Sequence, residues 1–140
     1  MFQFFARRGR GERGFTLIEL LIVVAIIAIL AAILIPNFMR ARAQAQVSAS
    51  KGNMKNTATA LETYFVDFSQ YPPSLPALTP SYLRLLPIDA CLPPGANSFV
   101  YSTATSSASF VLQTLSWANV QCAQVARGIS YTPDAGLVTY

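Results

Sequence analysis

The sequence predicts an α+β fold in which one long N-terminal α-helix, membrane-spanning in its first half, packs its second half on a small antiparallel β-sheet. Three observations predict it. Residues 20–35 are sixteen consecutive Leu, Ile, Val or Ala. Apolar residues then recur at helical spacing to about residue 68, and the last forty residues or so hold β-rich runs divided by turn residues. The 140 residues suffice for one domain of ordinary size. Their 53% hydrophobic and 11% charged content and mean hydropathy of +0.41 depart from the roughly 25% charge of a soluble domain.

The chain opens on a short basic head. Residues 1–14 carry Arg7, Arg8, Arg10 and Arg13 against Glu12, a balance of +3, and the remaining residues balance to +1. A nucleic-acid-binding reading of the pI of 9.4 therefore rests on a segment that processing would remove. Residues 15–35 follow, about 31 Å as a helix, which matches a hydrocarbon core of roughly 30 Å. A helix pairs every backbone group internally and so can cross lipid. Its β-branched residues, weak helix formers in water, cost little there.

Two ordinary explanations compete for this segment. One is a plain signal anchor. The other is a cleaved secretory signal, for which Ala41-Arg42-Ala43 and Ala43-Gln44-Ala45 offer A-x-A sites. Against that cleavage, the apolar stretch is too long, and Arg40 and Arg42 fall inside the cleavage region. Neither explanation accounts for Glu19, the only charge between Phe15 and Met39. A carboxylate well inside a membrane helix costs on the order of 2–3 kcal/mol and marks a functional contact. Near the interface, the positive end of the helix would favour it. Cleavage after Gly14 would create an α-amino group at Phe15, one turn from Glu19. A neighbouring copy's new N-terminus could then be the positive partner that a carboxylate in low dielectric requires.

The run Arg13-Gly14-Phe15-Thr16-Leu17-Ile18-Glu19-Leu20-Leu21-Ile22-Val23-Val24 resembles the class III signal of type IV pilins and of the pseudopilins of type II secretion. The resemblance implies cleavage between Gly14 and Phe15 by a prepilin peptidase, N-methylation of Phe15, and a role for Glu19 in subunit docking. Pro36 stands where that family has a helix-bending proline. The close match covers about residues 9–45; beyond it the likeness is one of architecture.

Past the membrane the helix is expected to continue to about Ser69. Pro36 lacks the amide for one backbone hydrogen bond and is expected to bend or loosen it. Met54, Ala58, Leu61, Phe65 and Phe68 form an amphipathic stripe, read as the core of the outer domain. Gly52 inside this segment costs about 1 kcal/mol relative to Ala. Tyr71-Pro72-Pro73 ends the helix. Seven of the nine prolines lie within residues 71–94, and Leu75, Leu78, Tyr82, Leu83, Leu85, Leu86 and Ile88 are available to anchor this loop. The stretch from Leu61-Glu62-Thr63-Tyr64-Phe65 to Tyr71-Pro72 also resembles the helix end of pilins and major pseudopilins. Residues 98–102 and 109–115 read as strands around a Ser/Thr/Ala turn, and residues 120–125 as a third strand. Residues 129–131 and 137–140 form a hairpin about Thr132-Pro133-Asp134-Ala135-Gly136. The chain thus divides into a leader (1–14), a transmembrane or filament-core helix (15–35), an amphipathic continuation (36–70) and a β head with a Pro-rich loop (71–140).

Cys91 and Cys122 are the only cysteines. Outside the cytoplasm such a pair usually becomes a disulfide, two buried thiols being the alternative; a disulfide would tie the Pro-rich loop to the third strand and stabilise the head by roughly 3–4 kcal/mol in the chain-entropy model. Many type IV pilins close their C-terminal region with a similar pair. Orientation is not set by charge, because Arg40, Arg42, Lys51 and Lys55 balance the leader arginines; the cysteines and the leader resemblance place the leader inside and the head outside.

No enzyme is expected. The chain has no His, the commonest general base and metal ligand, and Ser102 or Thr105 lacks an evident base. The carboxylates Glu19, Glu62, Asp67, Asp89 and Asp134 are scattered. A calcium site of the kind major pseudopilins often carry would draw on Asp89 and Asp134, but no ligand cluster surrounds them; no metal or cofactor is expected. The Ser/Thr cluster at 102–109 reads as a polar turn rather than a glycan acceptor, and Tyr64, Phe65, Phe68 and Tyr71 as packing rather than an electron-transfer stack.

The resemblance implies a type IV pilus subunit. Its partners would be other copies and related pilins, the prepilin peptidase, the inner-membrane assembly machinery and, before assembly, the lipid bilayer. The precursor would lie in the bacterial inner membrane and the product in an extracellular pilus. A type II secretion pseudopilin in a periplasmic pseudopilus is the alternative, and a monomeric anchored binding module or a secreted domain starting near Gln44 or Gln46 lies outside the class. Adhesion, motility and DNA uptake come only from the resemblance, so nucleic acid is left open as a partner.

Overall fold

The structure is a computed structural model that describes residues 14–93, 99–103, 109–115, 117 and 120–140. The expected leader, apart from Gly14, the start of the first expected strand at Ser98 and the centre of the Ser/Thr turn at 104–108 lie outside the described residues. The chain falls into two units, Met1–Pro36 and Asn37–Tyr140.

The long helix is α1, Leu17–Phe68, 52 residues with Pro36 inside it. It begins two residues later than expected, because Phe15 and Thr16 are irregular backbone. At its other end the Ser69 amide donates to Phe65 O at 2.7 Å. Ser69 itself adopts φ 56°, the left-handed conformation that commonly terminates helices, and Pro72 and Pro73 follow. In the first unit, α1 is long and apolar enough to cross a membrane, its most apolar window averaging a mean hydropathy of 3.3.

In the second unit, α1 buries Ala43, Val47, Ser50, Met54, Thr57, Ala58, Ala60 and Leu61. Of the expected stripe, Met54, Ala58 and Leu61 reach the core and Phe65 is half-buried. Phe68, in the last turn, is 55% exposed. The buried face instead extends back along α1 through Ser50, Val47 and Ala43. Each large apolar side chain it buries contributes about 1.5–3 kcal/mol.

The sheet is an antiparallel meander of β1 (Val100–Thr103), β2 (Phe110–Gln113), β3 (Ile129–Thr132) and β4 (Gly136–Thr139), in that order. Its register pairs Tyr101 with Leu112, Leu112 with Tyr131 and Tyr131 with Leu137. The expected hairpin is the β3–β4 pair, closed where Gly136 takes φ +68°, a conformation glycine adopts without a Cβ penalty. Phe110, Leu112 and Ile129 join the α1 stripe, with Leu75 and Leu78 of a 3-10 turn (Leu75–Leu78), in one continuous core. Aromatic rings extend it: Phe65 stacks on Tyr71 at 4.7 Å between centroids, Tyr71 meets the Phe110 ring edge-on at 4.7 Å, and Phe110 stacks on Tyr131 at 5.8 Å.

One element differs from expectation. Residues 120–125 contain no strand; Val120–Ala123 is a short helix, α2, between β2 and β3. Its backbone hydrogen bonds are local, with Val125 N and Ala126 N both donating to Cys122 O at 2.9 and 3.0 Å. Ala and Gln favour such a turn, and Cys122 is held from the other side by its disulfide to Cys91. The disulfide forms as expected, but it ties the Pro-rich loop to a helical turn rather than to a strand.

Candidate assembly surface

The residues singled out at the N-terminus surround the start of α1. Gly14, Phe15 and Thr16 precede the helix, and Phe15 is 77% exposed, so the Gly14–Phe15 bond lies in accessible, non-helical backbone. The first turns of a helix leave amides without partners, a serious cost where no water can reach them. Here Thr16 and Glu19 satisfy two of them reciprocally. Thr16 N donates to Glu19 Oε2 at 2.9 Å, Glu19 N donates to Thr16 Oγ1 at 3.3 Å, and Thr16 Oγ1 donates to Glu19 Oε2 at 2.6 Å. This is a capping box. Glu19 thus has donors within its own chain, all of them neutral, which orient the carboxylate without cancelling its charge.

Beyond the cap, the described residues of the first unit bury no side chain. Leu17, Ile18, Leu20, Leu21, Ile22 and the large apolar residues that follow, as far as Phe38 in the second unit, are exposed. An apolar surface of this extent on one helix demands a covering medium, either lipid or other apolar protein surface. Pro36 lies within uninterrupted helix, next to the boundary between the two units.

The second unit gives the loop carboxylate Asp89 a different place from a cation ligand. Asp89 is 3% exposed. Its Oδ1 accepts from Ser50 Oγ and, at 2.9 Å, from Cys91 N; its Oδ2 accepts from Trp117 Nε1 at 2.8 Å. Ser50 Oγ in turn accepts from Ala90 N at 3.0 Å, and Asn53 Nδ2 donates to Ile88 O at 2.7 Å. Asp89 is therefore ringed by donors, where a calcium ligand would be ringed by other oxygen acceptors. It acts as a knot that holds the Pro-rich loop against α1 beside the disulfide. Asp134, the other carboxylate considered, is exposed in the β3–β4 turn. Among the described residues no three His, Cys, Asp or Glu converge as a metal site would require. The Asp89 knot was missed in the sequence because its partners lie 39 and 28 residues away. The cap was readable in the Thr16-x-x-Glu19 spacing.

Comparison with known proteins agrees with this geometry. The family model for the prokaryotic N-terminal methylation motif matches residues 9–35. The chain is 35% identical over 123 residues to the type II secretion system core protein G of Pseudomonas aeruginosa, covering 76% of this chain and 84% of that protein. It is 40% identical over 93 residues to the type IV wide pilus major component PilA4 of Thermus thermophilus, covering 64% and 71%. The type IV major pilin protein PilA of Myxococcus xanthus is 54% identical over 60 residues, but these are 43% of this chain and only 27% of that protein. With a methylation motif at the cap, an apolar helix beyond it and matches that span most of two relatives, the chain belongs to the family of type IV pilins and type II secretion pseudopilins.

Proposed function

We propose that this chain is a structural subunit of a type IV pilus filament. The observation that carries the reading is a helix exposed along its apolar length and headed by the methylation motif. Residues 1–14 are the leader, a prepilin peptidase cuts between Gly14 and Phe15, and Phe15 is N-methylated. The helix from residue 15 to residue 35 holds the precursor in the inner membrane with the head outside. Assembly machinery then moves it into a filament core, where helices of other copies replace lipid. In that core Glu19 compensates the amino group of an adjacent subunit's Phe15, while the head forms the filament surface.

The energetics fit such a transfer. Lipid tails are as apolar as Leu, so exchanging lipid for a neighbouring helix gains little by itself. Release into water would cost about 1.5–3 kcal/mol for every large apolar side chain uncovered, so a subunit that has left the bilayer stays in the filament. The test is the intact mass and N-terminal sequence of the chain recovered from filaments sheared off the native cell. A chain that begins at N-methylated Phe15 is the expected result. A chain that begins at Met1, or near Gln44, would refute processing and with it the assembly mechanism.

A second reading, a pseudopilin of a type II secretion system, is favoured by the span of the match to core protein G, 84% of that protein. Deleting the gene separates the two: loss of surface filaments supports the pilus subunit, and loss of exoprotein secretion with filaments intact supports the pseudopilin.

A further inference from the structure

In the second unit the charges of α1 are segregated. Arg40, Arg42, Lys51 and Lys55 come first with no acid among them, and Glu62 and Asp67 follow with no base. Helix stability gives no reason for this order. The macrodipole favours cations, not anions, in the last turn, yet Asp67 stands there and no basic residue does. Lys51 and Lys55 are also like charges four residues apart, a destabilising spacing.

Nor does the fold of one chain neutralise these groups. Arg40, Arg42 and Lys55 are exposed and Lys51 is half-buried. None of the four side chains makes a hydrogen bond or ion pair among the described residues. Among the described residues the two acids are met by neutral phenols alone: Tyr71 OH donates to Glu62 Oε2 at 3.1 Å and Tyr82 OH to Asp67 Oδ2 at 2.6 Å. These phenols aim the carboxylates and leave their charge standing. Burial and the neighbouring Glu62 push the Tyr71 hydroxyl up to about 12, and the hydrogen bond to Asp67 does the same for Tyr82, so both remain donors at any physiological pH.

We propose that Glu62 and Asp67 form ion pairs with the basic segment at residues 40–55 of a neighbouring, parallel copy of this chain, and that this pairing sets the axial stagger between subunits. The proposal rests on the filament reading, in which every copy enters the assembly from one membrane by the same end and so lies parallel to the others. A parallel copy without stagger would set like charge against like. Displacement by 7 to 27 residues, about 10–40 Å at 1.5 Å per residue, sets the acidic end of one helix against the basic segment of the next. A second copy is the occupant because the helix carries both halves of the match. An external polyanion would pair with the basic segment and be repelled by Glu62 and Asp67.

The test uses the full chain in its native cell, with sheared filament measured against the processed subunit left in the membrane. The variants are K51E/K55E, E62K/D67K and the fourfold combination. Disulfide formation and membrane level of the subunit serve as the folding control. Each double variant is expected to lower filament yield about tenfold or more, and filaments that do form should fall apart at lower salt, because like charges then face each other. The fourfold variant, and co-expression of the two double variants, should restore yield to within about threefold of the original chain. Undiminished yield from either double variant overturns the pairing. A loss in K51E/K55E that neither combination restores also overturns it and assigns the basic segment to an anionic partner outside the chain. If the unaltered chain forms no filament at all, the filament reading itself fails, which is a separate result.

Discussion

Replacing Asp89 with Ala is expected to be among the most damaging single changes in the outer unit. The side chain is 3% exposed and accepts three hydrogen bonds, from Ser50 Oγ, Cys91 N and Trp117 Nε1. Ser50 has a rotatable hydroxyl and can turn to another acceptor. The Cys91 amide and the Trp117 indole are fixed by their surroundings and would be stranded. A buried donor left without a partner costs about 1–3 kcal/mol, so the loss for two is on the order of 2–6 kcal/mol, a large part of the roughly 5–15 kcal/mol that holds a domain folded. Urea unfolding of the purified full chain in detergent would measure it, with Trp117 as the only tryptophan and so a built-in fluorescence reporter. Asp89→Asn keeps one acceptor oxygen and should lose about half as much. Trp117→Phe removes a donor together with its need, so the double variant should be less damaged than the sum of the singles by about 1–2 kcal/mol, followed in that case by tyrosine circular dichroism. A loss below about 1 kcal/mol for Asp89→Ala, or strict additivity with Trp117→Phe, would refute the knot as a source of stability.

Serine at both Cys91 and Cys122 opens a loop with a sequence separation of 31; the stability of the outer unit should fall by about 3–4 kcal/mol, seen as a lower urea midpoint that reductant no longer changes. Gly136→Ala places a Cβ on a residue at φ +68° with open space around it, so strain alone should cost about 1 kcal/mol, read from the same unfolding curves. At high pH the tyrosines govern stability. Tyr71 and Tyr101 are pushed up to about 12 mainly by burial, and Tyr82 to about 12 mainly by its hydrogen bond to Asp67, all from 10.0. A raised folded value means that their contribution is complete below pH 10 and is lost as pH climbs toward 12; phenolate absorbance and loss of the fold should rise together across that window, and phenolate appearing near pH 10 in the intact fold would contradict it.

How much of this was legible in the sequence depended on the range of the interactions. The apolar first half of α1 follows from sixteen adjacent apolar residues, and the β3–β4 hairpin from a turn sequence with Pro, Asp and Gly between β-rich residues; both are local. The second half of α1 was read from its large residues, Met54 to Phe68, whereas its packed face begins at Ala43, Val47 and Ser50, where small side chains let α1 sit close to its core and carry no conspicuous periodicity. Phe68 has the right spacing for the core and misses it because the chain turns away at Ser69. Val120, Cys122 and Val125 have strand-like composition, but the covalent tie of Cys122 to Cys91 and bonds to the Cys122 carbonyl favour a helical turn. The partners of Asp89 come from three separate parts of the chain, and no window on the sequence contains them all.

The two ends of α1 answer a common difficulty. A helix that must live first in lipid and then among its own kind cannot be sorted by apolar contact, because the two media are nearly equivalent for Leu and Ile. Discrimination has to come from groups that lipid leaves dissatisfied. At the membrane end the proposed function gives that part to Glu19. Its bonds to Thr16 N and Thr16 Oγ1 supply neutral donors, enough to close the helix start in the bilayer but not to cancel a charge. In the proposed filament a neighbour's Phe15 amino group cancels it, which biases transfer toward the assembly. At the outer end the same logic holds in water. The phenols of Tyr71 and Tyr82 orient Glu62 and Asp67 without neutralising them, and the basic residues about two to seven turns back have no anion among the described residues. Water solvates these charges well, so their pairing adds little raw affinity and chiefly penalises a wrong register. Attraction would then be concentrated at the buried end of the helix and register at the exposed end, so removing the outer charges should disorder the stagger before it stops subunits from joining, whereas reversing one set turns pairing into repulsion and lowers the yield.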